Sequence, residues 1–182
     1  MKEIEQSNIN NPIQQSVDRQ NSKSSITEMN GKYLTFWTDN QLFGIPISNV
    51  VQIVSVQKIT PVPDFPPYAK GIINIRGSII PVIDVRLRFH RPEIPYNEKT
   101  CIIITNIQEK LTGFIVDSVD EVVKIQAENI SNPPKISTIS SDSYLTGIAK
   151  LENAVVLLLD CHKMLNNEEI ANIANDHNLG GK

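Results

Sequence analysis

The side chains able to do chemistry in this 182-residue chain are few and scattered. Its three histidines, His90, His162 and His177, fall in no HExxH or HxH arrangement, so no zinc site is written at a recognisable spacing. Neither GxxxxGK[ST] nor GxGxxG occurs, which removes the backbone cradles that hold nucleotide phosphates. Asp117, Asp120 and Glu121 cluster after Val116, but the other oxygen ligands of a calcium loop are missing, and a solvated turn is expected there. Cys101 and Cys161 sit 60 positions apart in the apolar settings CIII and LLLDC, where small buried hydrophobes are expected rather than a disulfide. No nucleophile stands beside a base and no carboxylate pair is spaced for acid-base work, so the expectation is a protein without catalytic residues, cofactor or metal. What remains unusual is Arg76, which interrupts the very apolar run GIINIRGSIIPVID, residues 71–84. Arg76-Gly77 reads as a tight hairpin tip, with glycine supplying the positive φ such a turn needs. An arginine there offers planar, multi-donor contacts of the kind found at binding hot spots, so the chemistry on offer is recognition.

Composition narrows what could be recognised. A net charge of -3, a pI near 5.6 and 5 % aromatic residues leave neither the basic face nor the stacking surface that nucleic acids require. The longest apolar run, Ala154 to Leu159, has six residues against the roughly 20 needed to span a bilayer as a helix. With no signal-peptide core behind Met1, the expectation is a soluble, cytoplasmic protein with no direct membrane insertion.

The elements that must carry Arg76 are strands. Residues 1–30 hold 14 Ser, Asn and Gln side chains and only seven apolar ones, and are read as a disordered arm. From Tyr33 onward ten short Ile- and Val-rich runs follow, bounded by Gly, Pro, Asn and Asp: YLTFWT, LFGIPI, VQIVSV, GIINIR, SIIPVID, TCIIIT, KLTGFIV, EVVKIQ, TGIAKL and NAVVLLLD. Pro46 and Pro81 inside two of them point to edges or bulges. The second half repeats the first: residues 42–56 fall on 111–125 at an offset of 69, and residues 71–84 fall on 147–160 at an offset of 76. Gly44 with Gly113, Gly71 with Gly147 and Asp84 with Asp160 are matches that generic apolar runs do not produce. Two five-stranded halves, about 33–90 and 98–160, are each too small for a large core, so they are expected to pack together and leave a groove at the seam. A helix over about 161–175, started by Asn166 or Asn167 with Ile170, Ala171, Ile173 and Ala174 on one face, closes the domain, and residues 176–182 fray.

At NIRGSIIPVIDVRLRF, residues 74–89, the chain resembles the NLRG…PVxDLRxxF signature of the CheW-domain family. The likeness extends through FGIPISNVVQI, GFIVDSVDEVVKI and YLTGIAKLENAVVLLLDCHKML, covering about residues 33–175. It implies an all-β fold of two SH3-like five-stranded β-barrel subdomains with a short C-terminal helix. It also implies a non-enzymatic adaptor that couples the cytoplasmic tip of chemoreceptors to the regulatory domain of the histidine kinase CheA, recruited to membrane-associated receptor arrays. By position, the partner-binding residues would be Val50, Gln52, Gly71, Arg76, Gly77, Cys101 and Ile102. Gln52 departs from the family's usual Glu, so it can offer the signature arginine only a neutral hydrogen bond; His90-Arg91 replaces the glycine with which many members continue. The alternative function is a β-barrel protein-interaction or oligonucleotide-binding module outside chemotaxis.

Overall fold

The structure, a computed structural model that describes residues 29–134 and 144–165, is built almost entirely of short strands. They are β1 (Lys32–Thr38), β2 (Gln41–Pro46), β3 (Val50–Ser55), β4 (Ala69–Ile75), β5 (Ser78–Asp84), β6 (Cys101–Ile107), β7 (Lys110–Val116), β8 (Ser118–Lys124), β9 (Ile130–Ser131), β10 (Leu145–Lys150) and β11 (Val155–Leu159). Two one-turn helices, α1 (Val85–Arg88) and α2 (Cys161–Met164), each follow a strand. All belong to the compact unit Gly31–Lys182, distinct from Met1–Asn30. The expected helix is present only as α2, which Asp160 rather than Asn166 or Asn167 starts and which ends before extended Leu165; the expected disordered arm, the rest of the expected helix and the frayed tail lie outside the described residues.

Three hairpins turn on two residues with positive φ at both positions: Asp39-Asn40 (52° and 58°), Arg76-Gly77 (51° and 87°) and Gln108-Glu109 (50° and 65°). That is the type I′ geometry, whose twist matches the flanking strands. The expected hairpin tip at Arg76-Gly77 is therefore present, with the Gly77 N–H donating to Asn74 Oδ1 at 2.9 Å. Pro46 ends β2, and Pro81 lies one residue before β5 begins its parallel pairing with β7 at Val82, so neither breaks a ladder on both sides.

The sheets do not divide the chain where the sequence repeats. One has the order β8-β1-β2-β11-β10-β9 and the other β3-β6-β7-β5-β4. Each half thus gives its first hairpin to the sheet of the other half, where sequence had suggested one barrel from 33–90 and another from 98–160. The joints are parallel and equivalent: Leu158 lies beside Gly44 where β11 meets β2, and Val82 beside Gly113 where β5 meets β7. A Cβ on Gly44 would come within 3.1 Å of Leu158 and Val156, and one on Gly113 within 2.8 Å of Ile102 and Val82. Neighbouring side chains crowd both joints, more tightly at Gly113 than at Gly44.

Chain connectivity bends both sheets into barrel-like rings. Thr60 bridges to Ile72 on the outer edge of β4, only five residues after β3 ends at the opposite edge. Laid flat, those positions would be ~24 Å apart at ~4.8 Å per strand, whereas five residues reach at most ~18 Å, so the sheet must curl and bring its two edges toward one another. At that closure Gly71 (φ 136°) lies under the backbone of Thr60 and Pro61, where a Cβ would meet Thr60 O at 2.1 Å. Its repeat partner Gly147 lies against β9 less tightly, with Ile130 Cγ2 at 2.7 Å from a Cβ placed there. Asp84 and Asp160 are also alike in role, since each caps the helix that follows, accepting from Leu87 N and His162 N.

Three cores result. Ile73, Ile80, Val82, Ile102, Ile104 and Ile115 fill one ring, and Leu42, Ile125, Ala149, Val156 and Leu158 fill the other. The largest lies between them and draws on both, with Leu34, Phe36, Phe43 and Ile45 from one sheet against Ile83, Ile103, Phe114 and Val116 from the other. The seam is therefore the principal core, and it supplies most of the apolar burial that stabilises the unit.

The two glycines of β4–β5 separate contact from conformation. Gly71→Ala should destabilise the protein by more than about 3 kcal/mol, because backbone must move. Gly77→Ala, with nothing within 4 Å of the added atom, should lose only roughly 1–2 kcal/mol for its left-handed φ. Urea melts of both variants check the order, and equal losses would contradict the closure.

Candidate functional site

Register decides which predicted residues can reach a partner. In the β3–β6 ladder Ile53 lies opposite Ile103 and Ser55 opposite Cys101, and Ile103 belongs to the seam core, so these residues share the seam face. Gln52 lies opposite Ile104 and Val54 opposite Ile102, and both isoleucines belong to the core inside the ring. Of the residues proposed from sequence, Val50 and Cys101 are half-buried against the seam core. Arg76 and Gly77 are exposed at their hairpin tip. Gln52 is half-buried on the interior face of its ring, with no hydrogen bond to Arg76. Ile102 is wholly buried inside the ring, and Gly71 is buried under Thr60; their packing roles explain their identity, and neither presents a surface.

The residues that sequence reasoning missed are Val51 and Ile53, which expose 53 % and 43 % of their surface on the strand that begins with Val50. The two form an open apolar pair beside the seam. The signal was present in VVQIVS, which has apolar residues on both faces of an edge strand, where a solvated edge normally carries charge. The repeat supplies a counterpart: Val122, 49 % exposed on β8, lies opposite core residue Leu34 as Ile53 lies opposite Ile103. Its neighbours Asp120 and Glu121 are acidic where Val51 and Gln52 are neutral, so the two rims are not interchangeable.

Polar contacts fix the seam. Arg86 on α1 binds Asp117 with both Nε and Nη2 at 2.8 Å, and its Nη1 reaches Asp39 at 3.2 Å. The Asp39 N–H donates to Asp117 at 2.8 Å. This corrects the expectation of a solvated acidic turn: Asp117 ties the helix after one sheet to a hairpin of the other, and Asp120 faces the Thr35 hydroxyl at 3.3 Å. The hydrogen bond with Asp117 holds the Arg86 guanidinium charged, raising its pKa despite burial. Arg88 sits between Tyr68 and its repeat equivalent Tyr144, 5.1 and 5.5 Å from the two ring centroids, and its Nε donates to Met164 O at 2.6 Å. Since 88 and 164 are themselves repeat equivalents, one side chain spans the pseudo-twofold relation. Tyr96 donates to buried Asp84 at 2.8 Å, and burial together with that carboxylate raises its phenol pKa. Burial also pushes the Cys161 thiol up to about 12, opposed by a hydrogen bond with Asn49 and assisted by the charge of Asp160.

The guanidinium of Arg76 makes no hydrogen bond or ion pair among the described residues. Its φ of 51° places a long side chain in the left-handed region, where Asn, Asp or Gly is usual. A residue held against local preference at an exposed tip and left without an internal partner is suited to an external one. Among the described residues, no group of three or more His, Cys, Asp and Glu is placed to hold a metal ion.

Comparison with known proteins gives one consistent result. Residues 32–169 match the family model described as CheW-like domain. The chain is 33 % identical over 159 residues to the chemotaxis protein CheW of Klebsiella aerogenes, covering 86 % of this chain and 96 % of that one. It is 30 % identical over 155 residues to the chemotaxis protein CheW of Treponema pallidum, covering 83 % and 91 %. The crystal structure of the scaffolding protein TtCheW from Thermoanaerobacter tengcongensis superposes with a TM-score of 0.70 at 35 % identity, over 76 % of this chain and 96 % of that one.

Two outcomes follow from the geometry. Arg76→Asn should leave thermal stability unchanged or raise it by up to about 1 kcal/mol, since asparagine tolerates the left-handed turn; a clear loss would show that Arg76 serves the fold. The thiol of Cys161 is raised on folding, so its stabilising contribution is complete below the unfolded thiol pKa of roughly 8.5 and fades as pH climbs from there toward about 12. A thiol reagent at pH 8 should therefore modify Cys161 only after unfolding, and rapid labelling of it in the folded protein would contradict the assigned burial.

Proposed function

Since the chain belongs to the CheW-like domain family and is a chemotaxis scaffold, we propose that it couples chemoreceptor tips to the regulatory domain of a CheA-type histidine kinase, by binding and without catalysis. The observation that carries this reading is the open apolar rim of Val51 and Ile53, continuous along β3 with Val50. A receptor tip, as a helical hairpin, would lay its apolar face along that rim, the geometry of helix-in-groove recognition. Arg76, left without an internal partner, would supply the directional polar contact. The working location is the cytoplasm, at receptor arrays. Among the described residues, no helix is long and apolar enough to cross a membrane.

The test is titration of the whole chain against a receptor-tip fragment and, separately, the regulatory domain of a CheA-type kinase. Both should bind. Ile53→Asp and Arg76→Ala should each weaken the receptor-tip complex by about tenfold or more, the scale of a hot-spot residue, with melting temperatures close to the parent's. Binding of neither partner by a correctly folded protein would remove the coupling role while leaving the fold intact.

A further inference from the structure

A cavity of about 350 Å³ opens on one side of the seam, walled by Phe43, Phe89 and Tyr144, floored by Leu157 and Leu159, and lined at its polar side by Thr38, Asp39 and Arg91. The aromatic wall is continuous, with ring centroids 5.0 Å apart from Phe43 to Phe89 and from Phe89 to Tyr144. The volume lies at the small end of the range for small-molecule sites.

The internal repeat shows what this place looks like when it is only structural. Thr38 corresponds to Ile107, Phe89 to Leu165, and Leu145 to Ala69. Those three counterparts are 1 %, 3 % and 7 % exposed and belong to the seam core. On the cavity side Phe89 and Leu145 are only half-buried. The position matching Ile107 carries a threonine, 1 % exposed, whose hydroxyl has no hydrogen-bond partner. An unsatisfied buried hydroxyl costs about 1–3 kcal/mol, and a site that accepts isoleucine in the twin has no packing need for it.

The charges at the mouth say which ligand the cavity favours. Asp39 is contacted by Arg86 at 3.2 Å and by Arg91 at 3.4 Å, and Arg86 is further occupied by Asp117. The two carboxylates are thus matched by two guanidinium groups, so the cluster is neutral and selectivity rests on which donors remain unused. Arg91 is the side chain with capacity to spare: it is 60 % exposed, and its Nη groups make no hydrogen bond among the described residues. We propose that this cavity binds a small aromatic carboxylate bearing a second hydrogen-bonding group on its ring. The ring packs against Phe89 and Tyr144, the carboxylate engages Arg91, and the ring substituent satisfies the Thr38 hydroxyl. Because strands of one sheet and the segment after α1, through Phe89 and Arg91, line the cavity together, occupancy also stabilises the packing of that segment on the sheet.

The experiment uses the full chain and 4-hydroxyphenylacetate as probe, followed by calorimetry and thermal melts, with phenylacetate and 4-hydroxyphenylacetamide as controls. The expected result is saturable binding that raises the melting temperature. It should weaken about tenfold or more for the amide and in Arg91→Gln, the loss of one charge-assisted contact. Thr38→Val, which should fold at least as stably as the parent, should abolish the preference for 4-hydroxyphenylacetate over phenylacetate. Absence of saturable binding, or binding indifferent to Arg91→Gln, would overturn the assignment.

Discussion

The exchange of hairpins between the two halves is the constraint on which everything else depends. Because β1 and β2 pair with β8 and β11, and β6 and β7 pair with β3 and β5, neither half can complete a sheet from its own strands. A Cβ would come within 2.8 Å of a neighbouring atom at Gly113, Gly71 or Gly147 and within 3.1 Å at Gly44, so joints and closures alike are tightly filled. The seam follows directly, since strands that cross from one half to the other carry their outward apolar residues into a shared core.

The open apolar rim is placed by the same arrangement. The strands that end the exchanged ladders, β3 and β8, have a free edge, and there the seam face meets solvent at Ile53 and Val122. Arg88 between Tyr68 and Tyr144, and Arg86 between Asp39 and Asp117, fix the relation of the two sheets, so the rim is presented by a rigid frame. Pre-ordering of this kind favours an adaptor, which gains affinity when less of its surface must be ordered on binding.

Much of this was legible in the sequence, and the parts that were not have a common cause. The glycine and aspartate pairs of the repeat were visible as matches, and each pair proves to fill one structural role twice. Arg76-Gly77 was readable as a turn because glycine adopts positive φ at no steric cost, a signal that Gln108-Glu109 does not carry. The hairpin exchange was not readable, because strands of similar composition pair equally well within or between halves until joints such as Leu158 beside Gly44 are known. For the same reason Gly71 and Ile102 could be taken for surface residues: one residue of register separates the seam face of β6 from its interior face. Val51 and Ile53 were not singled out, because nothing in the local sequence tells that β3 lies at an edge. The acidic turn at Asp117 looked solvated because its partner, Arg86, is remote in sequence.

The most direct test is to divide the chain in the connection between the halves, into residues 1–98 and 99–182, and to record amide spectra of each fragment alone and of the two mixed. The exchanged topology predicts that neither fragment shows dispersed, cooperatively melting signals by itself, and that mixing restores the spectrum of the intact chain. Two fragments that each fold independently would contradict it, and would return the seam to an ordinary interface between two self-contained barrels.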